Sequence, residues 1–215
     1  MHGDYEAVFE ELYDKCRELT KDYDHHEVRI VIAGDLLHQK ITISNELLMM
    51  TSTFLTELAA IAPVVLVAEN HDLLENNKER VDSITPIVTL INSLNISYYK
   101  GRECYVDDNI VWCNYSIFDH NERPDIEAFK ASLVGTANEN DDFTYIGLYH
   151  ASILGASTDI GYEFDTGTPL SHFEGCDIVM MGDIHKRSCF YLTDKKEIYE
   201  DELDKYLKMG WEIDN

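Results

Sequence analysis

Basic residues are scarce in this chain: 17 Lys and Arg stand against 41 Asp and Glu, a formal net charge of −24 over 215 residues. That deficit argues against a basic face on this chain for gripping nucleic acid by its phosphates, and it suits a protein that binds cations. Long apolar runs are also lacking. No stretch approaches the roughly 18 apolar residues of a membrane span. The opening segment MHGDYEAVFEELYDKC is acidic and amphipathic, which reads as a helix and not as a secretory signal. Cysteine is sparse and scattered: Cys16, Cys104, Cys113, Cys176 and Cys189 are odd in number and form no CxxC pair. The pattern reads as reduced thiols of a cytosolic protein, not as a disulfide framework or a structural zinc site. What is present is ordinary globular material, 45% apolar and 27% charged, which excludes a wholly disordered chain and fits one shared core.

Periodicity places the elements. Tyr5, Val8, Phe9, Leu12, Cys16 and Leu19 recur at three- and four-residue steps and predict a helix over residues 4–22. Val28 to Ala33 is a β-branched run expected to form a buried strand, as is Val64 to Ala68 after Pro63. Between them lies a second helix with Ser44 or Asn45 as its cap, and Pro86 stands near the start of a third, Ile87 to Leu94. Strands are expected at Ile96–Tyr99, Glu103–Val106, Ile110–Tyr115, Phe143–Tyr149, Asp177–Met181 and Cys189–Leu192, and helices at Pro124–Leu133 and Glu200–Met209. No internal repeat or low-complexity linker interrupts them. Helices early and strands clustered later indicate a layered α/β domain.

The informative pattern is where the strands stop. Four of them run into polar clusters: Gly34-Asp35-Leu36-Leu37-His38, Asn70-His71-Asp72, His150, and Asp183-Ile184-His185. In α/β sheets, ligands bind beyond the carboxyl ends of strands, where loops converge. Singly, each cluster reads as a turn, a cap, a core histidine or a loop ion pair. Jointly they supply a mixed nitrogen and oxygen donor set that suits Mn²⁺, Fe²⁺ or Zn²⁺, and a carboxylate among them can bridge two cations.

The order GDLLH, ENHD, a strand-terminal His and GDIH is similar to the signature of the calcineurin-like metallophosphoesterases, GD, then GNH followed by D or E, then H, then GHxH. His38, three residues after Asp35, resembles the DNA-repair branch with its SbcD-type nucleases, and YHASILGASTDIGYEF with GDIHKR resembles the recombination endonuclease subunits of large bacteriophages. The resemblance implies an α/β/β/α sandwich and two divalent metal ions, Mn²⁺ first, with Fe²⁺ or Zn²⁺ as alternatives. It implies that Asp35 bridges the metals, that Asn70 and His150 bind the second, and that His185 and Asp183 bind the first. His71 would stabilise the transition state or protonate the leaving oxygen, and His38 would help position substrate. The implied activity is phosphodiester hydrolysis by an exonuclease or endonuclease subunit of recombination and repair. DNA would be its substrate and an ATPase subunit of the SbcC type its partner, in the cytoplasm, with a homodimer in the full-length protein and no membrane.

The chain departs from the signature at three places. Glu69 stands where the family has Gly, and Asp183 where it has His. The opening Asp-x-His strand, which supplies two ligands of the first metal, has no counterpart. The expected fold is therefore an incomplete sandwich, truncated at both ends: a metallophosphoesterase domain over residues 1–192 and an acidic helical tail over 193–215. Whether the chain is itself an enzyme stays open at this point. A phosphatase or phosphodiesterase for small or protein phosphates would use the same donors, and an inactive fragment is the third reading.

Overall fold

A computed structural model describes residues 2–37, 43–68, 81–136, 142–158, 161, 164–183, 191–193 and 196–198. The first half alternates helix and strand: α1 (His2–Thr20), β1 (Ile30–Ala33), α2 (Asn45–Ile61), β2 (Val64–Val67), α3 (Ile84–Ile91) and β3 (Ile96–Tyr99). A hairpin of β4 (Cys104–Asp107) and β5 (Ile110–Asn114) follows, then α4 (Ile126–Leu133), β6 (Thr144–His150) and β7 (Ile178–Gly182). The result is a mixed α/β fold. β1, β2 and β3 form a parallel sheet in that order, and β4, β5, β6 and β7 form a second sheet that is antiparallel only at the hairpin.

Side-chain alternation sorts these elements into layers. Ile30 and Ile32 of β1, Val64 and Leu66 of β2, and Ile96 and Tyr98 of β3 face the helices, packing with Phe54, Leu55 and Leu58 of α2 and Ile84 and Ile87 of α3. The intervening residues Val31, Ala33, Val65, Val67 and Tyr99 face the second sheet, where they meet Trp112, Ile146, Leu148 and Met180. A strand buried on both faces must be apolar at every position, so VVLV of β2 is a continuous hydrophobic run. On the outer face of the second sheet lies α4, whose Lys130 Nζ sits 4.5 Å from the Tyr145 ring centroid.

Local signals explain most of the boundaries. Ser44 caps α2, its Oγ accepting from Leu47 N at 3.2 Å, and Asp125 caps α4 by accepting from Ala128 N at 2.8 Å. α3 begins at Ile84, three residues before the expected Ile87, and ends at Ile91. The cause is Asp82, whose Oδ1 accepts from Ile84 N (3.0 Å) and Thr85 N (2.7 Å), so Pro86 stands in the first turn where its missing N–H costs nothing. Lys100 Nζ (2.6 Å) and Tyr98 Oη (3.1 Å) also donate to this carboxylate and tie the start of α3 to the end of β3.

The buried stripe of α1 is narrower than its sequence predicts. Phe9, Tyr13 and Cys16 pack on the core, with the Phe9 ring 4.6 Å from that of Phe54, while Tyr5, Val8, Leu12 and Leu19 remain exposed. The helix meets α2 along one line of contact, which reaches only side chains close to that line. At the amino end of β1, Arg29 forks onto Asp107 with Nε and a terminal nitrogen each at 2.7 Å, and so links the first sheet to β4.

The chain divides into two compact units, Met1–His150 with Gly175–Asp183, and Ala151–Glu174 with Ile184–Asn215. In the second, Leu154 N donates to Thr168 O (3.1 Å) and Gly155 N to Phe164 O (2.8 Å), closing a loop that leads to a 3₁₀ turn at Leu170–Phe173. β8 (Tyr191–Thr193) and β9 (Lys196–Ile198) pair antiparallel, a hairpin of which the sequence predicted only the first strand. The helix expected over Glu200–Met209 lies outside the described residues. Among the described residues no helix is long and apolar enough to cross a membrane.

Candidate metal centre

Parallel pairing brings the carboxyl ends of strands to one level. Ala33 of β1 is in register with Val67 of β2, and His150 of β6 with Gly182 of β7. The polar clusters singled out in the sequence begin just beyond these residues. His150 closes β6 on the face that carries Ile146 and Leu148, so its ring points toward the first sheet and is 6% exposed.

The end of β1 receives that ring. His150 Nδ1 lies 2.6 Å from Ala33 O. A carbonyl oxygen only accepts, so Nδ1 carries the proton, and in the neutral ring the lone pair belongs to Nε2. Nε2 faces Asp35, 3.7 Å from Oδ2, and that carboxylate is about half exposed to solvent. The carbonyl of His150 accepts from Asn121 Nδ2 at 3.4 Å, fixing the strand end from the other side.

The two strand-end Gly-Asp pairs, Gly34-Asp35 and Gly182-Asp183, owe their glycine to this contact. A Cβ on Gly34 would stand 2.2 Å from His150 Nδ1, and one on Gly182 would stand 2.1 Å from Ala33 O and 2.4 Å from His150 Nδ1. Neither leaves room for any side chain, and Gly34 also has φ +96°. The aspartates that follow are left-handed too, Asp35 at φ 55° and Asp183 at φ 80°, a conformation Asp tolerates better than most residues. It turns the chain sharply as it leaves each strand.

Of the sequence-predicted donors, Asp35 and His150 are brought together. Asp183 is exposed and directly follows Gly182, which packs against the His150 ring. His38, Asn70, His71 and His185 lie outside the described residues. Among the described residues no group of three or more His, Cys, Asp or Glu side chains is arranged to hold a metal ion. The pair that is described fits a cation nonetheless. Ligand nitrogen and oxygen atoms lie about 2.0–2.2 Å from such an ion, so two of them on one ion are at most about 4.4 Å apart. The 3.7 Å gap lies within that limit. Ligating histidines regularly donate their second N–H to a carbonyl or carboxylate, as His150 does to Ala33.

Sequence reading missed the Ala33 carbonyl and Asn121. A backbone oxygen leaves no residue signature, and nothing in the stretch around Asn121 distinguishes it from any polar turn.

No family model matches the chain. The sequence is similar to an uncharacterized protein of Acanthamoeba polyphaga mimivirus, 31% identical over 199 residues, a match that covers 92% of this chain. The chain spans 14% of the length of that relative.

Proposed function

We propose that the chain carries the metal-binding half-site of a phosphodiester hydrolase of the calcineurin-like metallophosphoesterase type, built on an α/β/β/α sandwich and acting on DNA in recombination and repair. The observation that carries this reading is His150, buried, with Nδ1–H held by Ala33 O and Nε2 turned 3.7 Å from Asp35. A structural core histidine needs no carboxylate from another strand end, nor two glycines cleared around it.

In this reading Asp35 and His150, with Asn70, Asp183 and His185, hold two divalent cations, Mn²⁺ first. When bound, the cations supply neutralisation of the charge that develops on the phosphoryl oxygens. The Ala33 carbonyl keeps the His150 ring in one tautomer and one orientation. His71 holds the proton that the leaving oxygen takes up, and His38 positions the ester. With a net charge of −24, the chain does not grip DNA by itself. An ATPase subunit of the SbcC type supplies the phosphate contacts.

The test is hydrolysis of bis(4-nitrophenyl) phosphate, 4-nitrophenyl phosphate and a duplex DNA end with Mn²⁺ present. The proposal expects cleavage of the diester by the chain alone, abolished by chelator and lowered about 10- to 100-fold by His150→Gln, and cleavage of DNA that is weak until the ATPase subunit is added. Cleavage of the monoester alone would replace the nuclease with a phosphatase. No metal-dependent cleavage of any ester would overturn the reading.

A further inference from the structure

Three of the five cysteines, Cys104, Cys113 and Cys176, meet on the outer face of the second sheet, the face opposite His150. Cys104 and Cys113 are direct partners across the β4–β5 hairpin. The neighbouring pair is the hydrogen-bonded one, since Asn114 N donates to Glu103 O at 3.0 Å. Cys104 and Cys113 therefore occupy a non-hydrogen-bonded pair, where Cα atoms approach to about 4.5 Å. That spacing lies inside the range of about 4.4–6.8 Å that a disulfide spans. Their sulfurs are 3.8 Å apart.

Cys176, just before β7, reaches Cys113 from the other side. Its thiol lies beside that of Cys113 and 3.6 Å from Tyr115 Oη. Gly147 makes the room, since a Cβ there would stand 3.2 Å from Cys176 Sγ. The three sulfurs form a chain with Cys113 in the middle. Cys113 is buried, whereas Cys104 and Cys176 are partly exposed and open to small reagents.

The groups around these thiols differentiate them. The hydrogen bond from Cys113, then that from Tyr115 and the charge of Arg123, bring the Cys176 thiol down to about 7 against the opposing effect of burial. Cys113 is pushed far up by its hydrogen bonds to Cys104 and Cys176 and by burial. Cys104 is lowered as well, chiefly by its hydrogen bond with Cys113, so the two partly exposed thiols are lowered and the buried one between them is raised.

We infer that Cys176, Cys113 and Cys104 form an oxidation site for peroxides, with Cys176 as the attacking sulfur and a Cys104–Cys113 disulfide across the hairpin as the end state. The Cys176 thiolate attacks one oxygen of hydrogen peroxide. An S–O bond forms, the O–O bond breaks, and hydroxide leaves, so sulfur is oxidised by two electrons to sulfenic acid and the peroxide is reduced. The Cys113 sulfur then attacks the Cys176 sulfur. An S–S bond forms, the S–O bond breaks, and the departing hydroxide takes the Cys113 proton as water. Cys104 gives its proton to the hydroxide released in the first step, and its sulfur displaces Cys176 from Cys113 by exchange, which leaves Cys104 joined to Cys113 and Cys176 again a thiolate. The sum is two thiols and one peroxide giving one disulfide and two waters. Among the described residues Cys16 on α1 has no such neighbour, and burial raises its thiol.

The test treats the reduced chain with one equivalent of hydrogen peroxide, alkylates the remaining thiols and maps the peptides. The expected product is a Cys104–Cys113 linkage with Cys16 still alkylated. Cys176→Ser should slow the linkage at least about tenfold, and Cys104→Ser should halt the reaction at a Cys113–Cys176 linkage. In the unsubstituted chain, the rate of Cys176 alkylation should rise with pH about a midpoint near 7. Oxidation spread equally onto Cys16, an unchanged linkage rate in Cys176→Ser, or an alkylation midpoint in the ordinary thiol range would each overturn the inference.

Discussion

A methyl group on Gly182 would have to share space with the Ala33 carbonyl and the His150 ring, at 2.1 and 2.4 Å. The backbone of β1 cannot swing away as a flexible side chain could, so the cost falls on the site itself. Gly182→Ala is expected to lower stability by about 1–3 kcal/mol, the range for an overpacked interior position, read by urea denaturation. The same substitution should displace the imidazole and break its hydrogen bond to Ala33. The Gly-Asp pairs were legible in the sequence as strand ends. That their glycines serve a histidine more than a hundred residues away from the first of them was not, because the reason is a distance between two sheets and not a local preference.

At the scale of elements, α3 shows how far local signals reach. Its proline suggested a start near Ile87, yet the helix begins at Ile84, because the buried carboxylate of Asp82 collects two backbone N–H groups along with Thr85, Tyr98 and Lys100. Three of those donors are local, but Tyr98 and Lys100 are supplied by β3 and its exit, so the stability of that start is invisible in a short window. Burial alone would raise this carboxyl. The hydrogen bonds from Lys100 and Thr85 outweigh it and hold the group below its ordinary value of 3.8. A carboxyl lowered in the folded state contributes its stabilisation above the unfolded value and loses it as pH falls through the folded one. Asp82→Asn should therefore lower stability by about 1–3 kcal/mol at neutral pH, and the gap between the two proteins should close as pH falls below 3.8. Denaturation midpoints measured from pH 7 downward check both parts, and a gap that widened in acid would contradict them. Most of the strands, and the cap at Ser44, were legible because each depends on a few adjacent residues, whereas the cap at Asp125 was not singled out. The partners on α1 were misplaced because an amphipathic pattern marks a broad apolar face, whereas α2 covers only the line through Phe9 and Tyr13.

For the whole molecule, the acidic excess and the strand-end site belong to one account. A surface with a net charge of −24 repels a polyanion and attracts divalent cations. Under the proposed function, substrate phosphate would be engaged where the cations sit, and grip on DNA would fall to a partner. The two sheets meet so that His150 of one reaches Ala33 and Asp35 at the end of the other. Composition gave the sign of the charge and motif order singled out Asp35 and His150, but only the packing of the sheets joins a histidine on β6 to the carboxylate after β1.

Calorimetric titration of Mn²⁺ into the chain, beside the Asp35→Asn and His150→Gln variants, tests that junction most directly. The account predicts that the unsubstituted chain binds Mn²⁺ and that each variant binds at least about tenfold more weakly. Binding that is equal in all three proteins, or no binding by the unsubstituted chain, would contradict it.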